Sequence, residues 1–350
     1  MIDEMPNELP QKVERRDNVF CLPQDDLPAS IHHIMNALTE AAIVLRDALM
    51  HGVGTLDDSL PPGQNSDGDQ QVPMDIIADQ LFYDALKEQD VAWYASEERA
   101  QAMSMDPSGT YAVAIDPLDG SSNVDINMSV GSIFSIYPAE KTAEQSFLRP
   151  AKHQSAAGYF IYGPRTWLML TFGRGVLSYC YNPETGAFRL VQGGVSIAQH
   201  AREFAINMSN YHHWAKPVRA YVDACIDPNQ SDGEKSFNMR WIASLVADAH
   251  RIFNRGGVFL YPSDRRPGYE EGRLRQVYEC GPIAFLVEQA GGKATDGLQE
   301  IMEKTAEHLH SRSPLIFGSS EAVDSVLDYH ECPDHELSAL FTARGLFRGE

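Results

Sequence analysis

The sequence predicts a mixed α and β protein in two lobes, and three observations carry that prediction. Short apolar runs end repeatedly at an acid or at the start of a helix. Between residues 156 and 191, apolar runs alternate with Gly and Pro turns, the pattern of an antiparallel sheet. After about residue 200 the pattern changes to mixed helices and strands, and 350 residues exceed one typical core.

The elements follow in order. Residues 1–27 read as loosely ordered. Ser30 is placed to cap a helix running to about Met50, with Ile31, Ile34, Leu38, Ala42, Leu45 and Leu49 near one face. HGVGTLDDSLPPGQNSDGDQQ (51–71) reads as a long exposed loop, and long loops in compact domains are often functional. A second helix covers about Met74 to Lys87. VAWYASEE (91–98) is a strand ending in two glutamates. Tyr111 to Ile115 is a strand, Asp116 stands at its carboxyl end, and Pro117 breaks the ladder. SVGSIFSIY (129–137) is the next strand. Beyond residue 200, FAINMSN is a strand into a loop, SLVADAHRIF a helix, GGVFLYP (256–262) a strand, and YECGPIAFLVEQAGG (278–292) a glutamate followed by a helix that Gly291–Gly292 ends. PLIFGSS (314–320) is a strand feeding a helix to about His330.

Lys plus Arg is 28 and Asp plus Glu is 49, a formal charge of −21. Such a chain has no general attraction for nucleic acid or anionic membranes. An anionic substrate therefore needs local cations or metal ions, although most of the carboxylates serve solubility. No apolar run reaches the length of a membrane span. The polar start lacks the apolar core of a signal peptide, so a cytoplasmic location is the expectation. Five dispersed cysteines, with no C-x-x-C, argue against a disulfide framework or structural zinc.

DPLDGSSNVD (116–125) concentrates the chemistry. Asp116 and Asp119 stand beside Gly120, Ser121, Ser122 and Asn123, which favour a turn with free backbone N–H groups. One reading is a hard cation such as Mg²⁺ on the carboxylates with a phosphate on the N–H groups. The plainer reading is Asp for turn chemistry and Ser for a helix cap. Other acids sit at comparable junctions: Asp69 in the loop, Asp75 and Asp79 one helical turn apart, Glu97 and Glu98 after a strand, and Glu279 before a helix. Acids after apolar strands point to metal ions, because buried unpaired charge is costly.

This set resembles the class I fructose-1,6-bisphosphatases, from about Gly68 to about Ser319. The resemblance runs through GDQQVPMD (68–75), SEE (96–98), DPLDGSSNVD, SVGSIFSIY, NMRWIASLVADAHR (238–251), GGVFLYP and YECGPIAFLVEQAGG. I-D-P-L-D-G-S-S alone is shared with the wider Mg²⁺-dependent, Li⁺-sensitive phosphatases, such as inositol monophosphatase. The resemblance implies a layered αβαβα sugar phosphatase fold, α+β or α/β, with two mixed-sheet lobes. It implies an N-terminal lobe over 1–200 carrying most metal ligands, a substrate-binding lobe over 201–335 and a tail over 336–350. It further implies that Glu97, Asp116, Asp119, Glu279 and the Leu118 carbonyl hold two or three Mg²⁺ ions, with Asp69 assisting a third and Mn²⁺ able to substitute. Asp75 and Glu98 then act as general bases, and the backbone at Gly120, Ser121 and Ser122 cradles the 1-phosphate. The residues alone leave plainer roles open: Asp75 as a helix-dipole acid, Glu98 as a partner of Arg99.

By the same resemblance Asn207, Arg240 and Tyr261 bind the 6-phosphate of a sugar bisphosphate, and Arg240 reaches a neighbouring subunit of a homotetramer. The plainer reading of Arg240 is a surface arginine. Trp241 stands where animal enzymes have Tyr, as does Asn210, and Arg273 replaces a Lys near the sugar and 1-phosphate. These departures resemble bacterial forms linked to carbon fixation, some of which also accept sedoheptulose 1,7-bisphosphate. The Gly/Thr-rich turn of AMP-inhibited members is replaced by DDLPAS (25–30), and their Lys-Tyr pair by Thr110 and Tyr111, so weak or no AMP inhibition is expected. The competing functions are a bifunctional fructose/sedoheptulose bisphosphatase, an inositol-monophosphatase-like enzyme, and an inactive sugar-phosphate sensor.

Overall fold

The computed structural model describes residue 20 and residues 27–51, 63–64, 70–71, 73–227 and 237–331. Its elements, in chain order, begin with α1 (Ala29–His51), the ribbon β1 (Gly63–Gln64) and β2 (Gln70–Gln71), and α2 (Pro73–Leu86). A run of strands follows: β3 (Val91–Ser96), β4 (Met103–Ser104), β5 (Tyr111–Asp119) and β6 (Val130–Pro138). The short α3 (Ala143–Phe147) precedes β7 (Ala156–Tyr162), β8 (Thr166–Thr171), β9 (Val176–Asn182) and β10 (Ala187–Val195). The second half holds β11 (Glu203–Ala205), α4 (Lys216–Ile226), β12 (Asn238–Met239), α5 (Leu245–Arg255), β13 (Val258–Tyr261) and β14 (Leu274–Arg275). It closes with α6 (Gly281–Gln289), β15 (Lys293–Thr295), β16 (Arg312–Ser313), β17 (Leu315–Gly318) and α7 (Ser320–Glu331).

Two mixed sheets organise these elements. The first runs β10-β9-β8-β7-β6-β5-β3-β4, antiparallel throughout except for the parallel pair β3–β5. The second runs β12-β11-β13-β17-β15. Helices α1 and α2 cover the outer face of the first sheet, α5 and α6 fill the space between the sheets, and α4 and α7 cover the far side of the second. The result is five layers, α-β-α-β-α. Because helices lie on both faces of β5 and β6, these strands read as continuous apolar runs rather than alternating ones. At the sheet edge, β10 is largely exposed.

The amphipathic face expected for α1 is the one that packs: Ile31, Ile34, Leu38, Ala42 and Leu45 are buried. One expectation is corrected. Pro117 does not end its strand, since β5 continues through Asp119. The helix α4, with Pro217 in its first turn, was not anticipated. Glu279 precedes α6 as expected, and does so from a single π-helical turn, Gln276–Cys280. Readings that fall on residues 1–19, most of 51–71 and the tail 336–350, including Asp69, lie outside the described residues.

Candidate active site

The central strand β5 shows how sequence builds the site. On a regular strand, residues three apart face opposite sides. Pro117 has no N–H for the ladder, and the register between β5 and β6 shifts between Asp116 (opposite Ile133) and Asp119 (opposite Gly131). That bulge lets both aspartates serve one side. It is pinned by the Ser132 hydroxyl donating to the Pro117 carbonyl at 2.7 Å and the Leu118 N–H donating to Asp116 Oδ1 at 3.1 Å. Gly120 follows in the left-handed region at φ 74°, and Ser121–Asn123 form one 3₁₀ turn. The turn's own hydrogen bonds use the N–H groups of Asn123 and Val124, so those of Ser121 and Ser122 stand at its open end.

Glu97 follows β3 directly, its N–H donating to the Ile115 carbonyl of β5 at 3.0 Å. The Glu98 N–H donates to Ser96 Oγ at 3.2 Å. Glu279 arrives from the π-helical turn, a deviation common at functional sites. One oxygen from each of Asp116, Asp119 and Glu279 lies within 4.8 Å of the others, and the three residues are only 4%, 7% and 6% exposed.

Burial is the main force raising the Asp116 carboxyl well above its usual range, with the charges of Glu97, Asp119, Glu279 and Glu98 adding to it. Glu279 is likewise raised by burial and then by Glu97 and Asp119, while the Arg275 N–H and guanidinium oppose the rise. Burial also raises Asp119, against hydrogen bonds from Val246, Ser244 and Leu245. Like charges held this close out of water are relieved by protonation or by a cation beside them. The donors are all oxygens, without His or Cys, so the set suits a hard divalent ion such as Mg²⁺ or Mn²⁺.

Asp75 is buried in the first turn of α2, a helix that packs on β5. Asp79, one turn on, belongs elsewhere: it accepts from Arg99 Nε at 2.6 Å and from the Tyr94 hydroxyl at 2.9 Å. Arg99 therefore pairs with Asp79.

On the other side of the centre, Tyr261 ends β13 and lies within electrostatic reach of both Arg273 and Glu279, while burial is what chiefly raises its hydroxyl. The Arg273 guanidinium rests on the Tyr269 ring at 4.6 Å. Trp241 stacks on Tyr261 with centroids 5.8 Å apart and planes 4° apart, and on Phe259 at 5.8 Å. Asn207 caps a 3₁₀ helix (Met208–His213), its side-chain oxygen accepting from Ser209. Arg240 is half exposed, its N–H donating to the Phe204 carbonyl and its Nε 3.8 Å from Glu203 Oε1.

Two residues escaped the sequence reading. Arg275 is 1% exposed with its Nε 3.3 Å from Glu97 Oε1, placing a buried guanidinium against the carboxylates. It lies four residues before Glu279, in the mixed stretch EGRLRQV (271–277), where nothing local marks it as buried. Ser244 donates from Oγ to Asp119 Oδ2 at 3.0 Å. Cys280, beside Glu279, is fully buried and burial pushes its thiol well up, which disfavours the thiolate that oxidation needs.

A layered mixed-sheet protein with buried carboxylates gathered at strand and helix ends is of the class of divalent-metal-dependent phosphatases. Family models match at both ends: "Fructose-1-6-bisphosphatase, N-terminal domain" over residues 25–193 and "Fructose-1-6-bisphosphatase, C-terminal domain" over residues 197–331. The chain belongs to the class 1 fructose-1,6-bisphosphatase family. It is 57% identical over 324 residues to fructose-1,6-bisphosphatase class 1 of Paracoccus denitrificans, covering 93% of this chain and 97% of that protein. It is 50% identical over 331 residues to a Cereibacter sphaeroides relative of the same name, covering 94% and 99%. Among solved structures, Leishmania major fructose-1,6-bisphosphatase in holo form superposes with a TM-score of 0.81 at 31% identity, over 88% of this chain and 96% of that one. Its apo form gives 0.78 at 30% identity, over 89% and 96%.

Proposed function

We propose that this chain hydrolyses the 1-phosphate of fructose 1,6-bisphosphate to fructose 6-phosphate and phosphate, in gluconeogenesis or the Calvin cycle. The observation that carries this reading is the buried cluster Asp116, Asp119 and Glu279 in a chain of this family. These carboxylates, with Glu97, the Leu118 carbonyl and Asp69, are assigned to two or three Mg²⁺ ions. When bound, such ions polarise the phosphate and stabilise the oxygens of an in-line displacement.

The chain's own groups do the rest. Glu98 and Asp75 orient the attacking water and accept its proton. Water oxygen bonds to phosphorus, the bond from phosphorus to the sugar oxygen breaks, and a proton passes to that oxygen. N–H groups at Gly120, Ser121 and Ser122 hold the phosphate oxygens, and Arg273 adds charge beside the sugar. Asn207, Arg240 and Tyr261 hold the 6-phosphate, Arg240 from a neighbouring subunit of a homotetramer in the cytoplasm. The stacked Trp241 favours a second reading, bifunctional hydrolysis of sedoheptulose 1,7-bisphosphate, because packing rather than a hydroxyl borders Tyr261.

Phosphate release with Mg²⁺ from fructose 1,6-bisphosphate, sedoheptulose 1,7-bisphosphate and inositol 1-phosphate tests the proposal. Turnover of the fructose substrate that Asp119→Ala abolishes supports it, and the sedoheptulose ratio decides the second reading. Release from none of the three by folded, Mg²⁺-saturated protein would leave the sensor.

A further inference from the structure

Asp119 is held from the opposite lobe. Its Oδ2 accepts both the Ser244 hydroxyl at 3.0 Å and the Val246 N–H at 2.9 Å, across 125 and 127 residues of sequence. Ser244 caps α5, and its Oγ also accepts the Ala247 N–H at 3.4 Å. One hydroxyl therefore receives a helix N–H and gives its own proton to the carboxylate, which uses its donor and one of its lone pairs. The Val246 N–H belongs to the first turn of α5, where no intrahelical acceptor exists.

The turn delivering Ser244 is specialised. Ala243 has φ 64°, a left-handed conformation that residues with a Cβ avoid. It is held there from both sides. Its carbonyl accepts Asn123 Nδ2 at 3.0 Å, and the preceding Ile242 N–H donates to Asp248 Oδ2 at 3.1 Å. Asn123 closes the 3₁₀ turn that follows Asp119, so the turns at 119–123 and 242–246 are clasped together. Their approach is close: a Cβ on Gly120 would lie 3.1 Å from Ser244 Cβ.

We infer that Ser244 is a positioning residue for the metal centre, fixing the rotation of Asp119 so that its other oxygen faces the cation, with Ala243 as the strained backbone that brings Ser244 into place. The inference rests on the reading of Asp116, Asp119 and Glu279 as cation ligands. Groups that orient metal ligands usually matter for affinity by roughly 10–100-fold.

The test is a Mn²⁺ titration of the metal-free full chain, with unbound Mn²⁺ followed by electron paramagnetic resonance and melting temperature recorded alongside. Ser244→Gly removes the hydroxyl but keeps a residue that caps helices almost as well, so stability stays near that of the parent. Its Mn²⁺ affinity should fall by roughly 10–100-fold, while Ser244→Thr, which restores a hydroxyl, should bind as the parent does. Ser244→Ala gives the same readout should the glycine variant not fold. Parent-like affinity in a folded Gly or Ala variant overturns the inference. Asp119→Asn separates the two levels: if it too binds as the parent does, the metal reading itself fails; if it loses binding while Ser244→Gly does not, only the positioning role fails.

Discussion

Replacing Asp116 by Asn should stabilise the protein when metal is absent, and that advantage should shrink when metal is present. The side chain is buried beside Asp119 and Glu279, with the three ligand oxygens within 4.8 Å. At an effective dielectric near 20, unit charges 4.8 Å apart repel by about 3.5 kcal/mol. The amide removes that repulsion from at least one neighbour and still offers an oxygen to the Leu118 N–H. For 350 residues, 1 kcal/mol moves the melting temperature by about 1.4 °C, so Asp116→Asn should melt about 5 °C higher without metal. The gain depends on pH. Asp116, Asp119 and Glu279 have folded pKa values above their unfolded ones, so the folded chain binds more protons. The stability they contribute is present below the ordinary carboxylate range and is lost as pH rises through the raised folded values. The advantage of Asn should therefore appear at pH 8 and vanish near pH 4. Added Mg²⁺ should erode that lead, since at a concentration 100 times Kd one site gives the parent about 2.7 kcal/mol and the variant gains less. Scanning calorimetry of chelator-treated protein, with and without Mg²⁺, reads all of this. A metal-free Asp116→Asn protein no more stable than the parent at pH 8 would refute the electrostatic reasoning.

Three further outcomes are expected. Glu98→Gln should lower kcat by roughly 10²–10⁴-fold while Mg²⁺ still raises the melting temperature, and a kcat within a few-fold of the parent would remove Glu98 as general base. Arg240→Ala should raise KM for fructose 1,6-bisphosphate by about 10–100-fold, the worth of a charge-assisted hydrogen bond, and an unchanged KM would return Arg240 to the surface role. Phe317→Ala, in the fully buried layer between the sheets, should cost about 3–5 kcal/mol, or about 4–7 °C in a chain of this length, read by calorimetry.

Much of the fold was legible locally. The face of α1, the strands at 91–96 and 130–138, and the antiparallel run over 156–195 follow from apolar period and turn residues, which act over a few positions. The acids of the candidate site were also visible, because Asp and Glu at the ends of apolar strands stand out against the rest of the chain. That Asp116 and Asp119 share a side was not visible, since it depends on a bulge whose register is set by pairing with β6. Nor was the pairing of Arg99 with Asp79, which depends on how α2 packs on the sheet.

What the sequence alone determined is thus the inventory: which segments become helix or strand, and which side chains carry negative charge near their ends. Only the tertiary structure decided how that inventory meets. It buried Arg275 against Glu97, set Glu279 in a π-helical turn, and brought the first turn of α5 onto Asp119. The physical reason is one of range. Propensity and period act within a turn or two of chain, whereas hydrogen bonds and charges act through space, between groups that only packing can bring together.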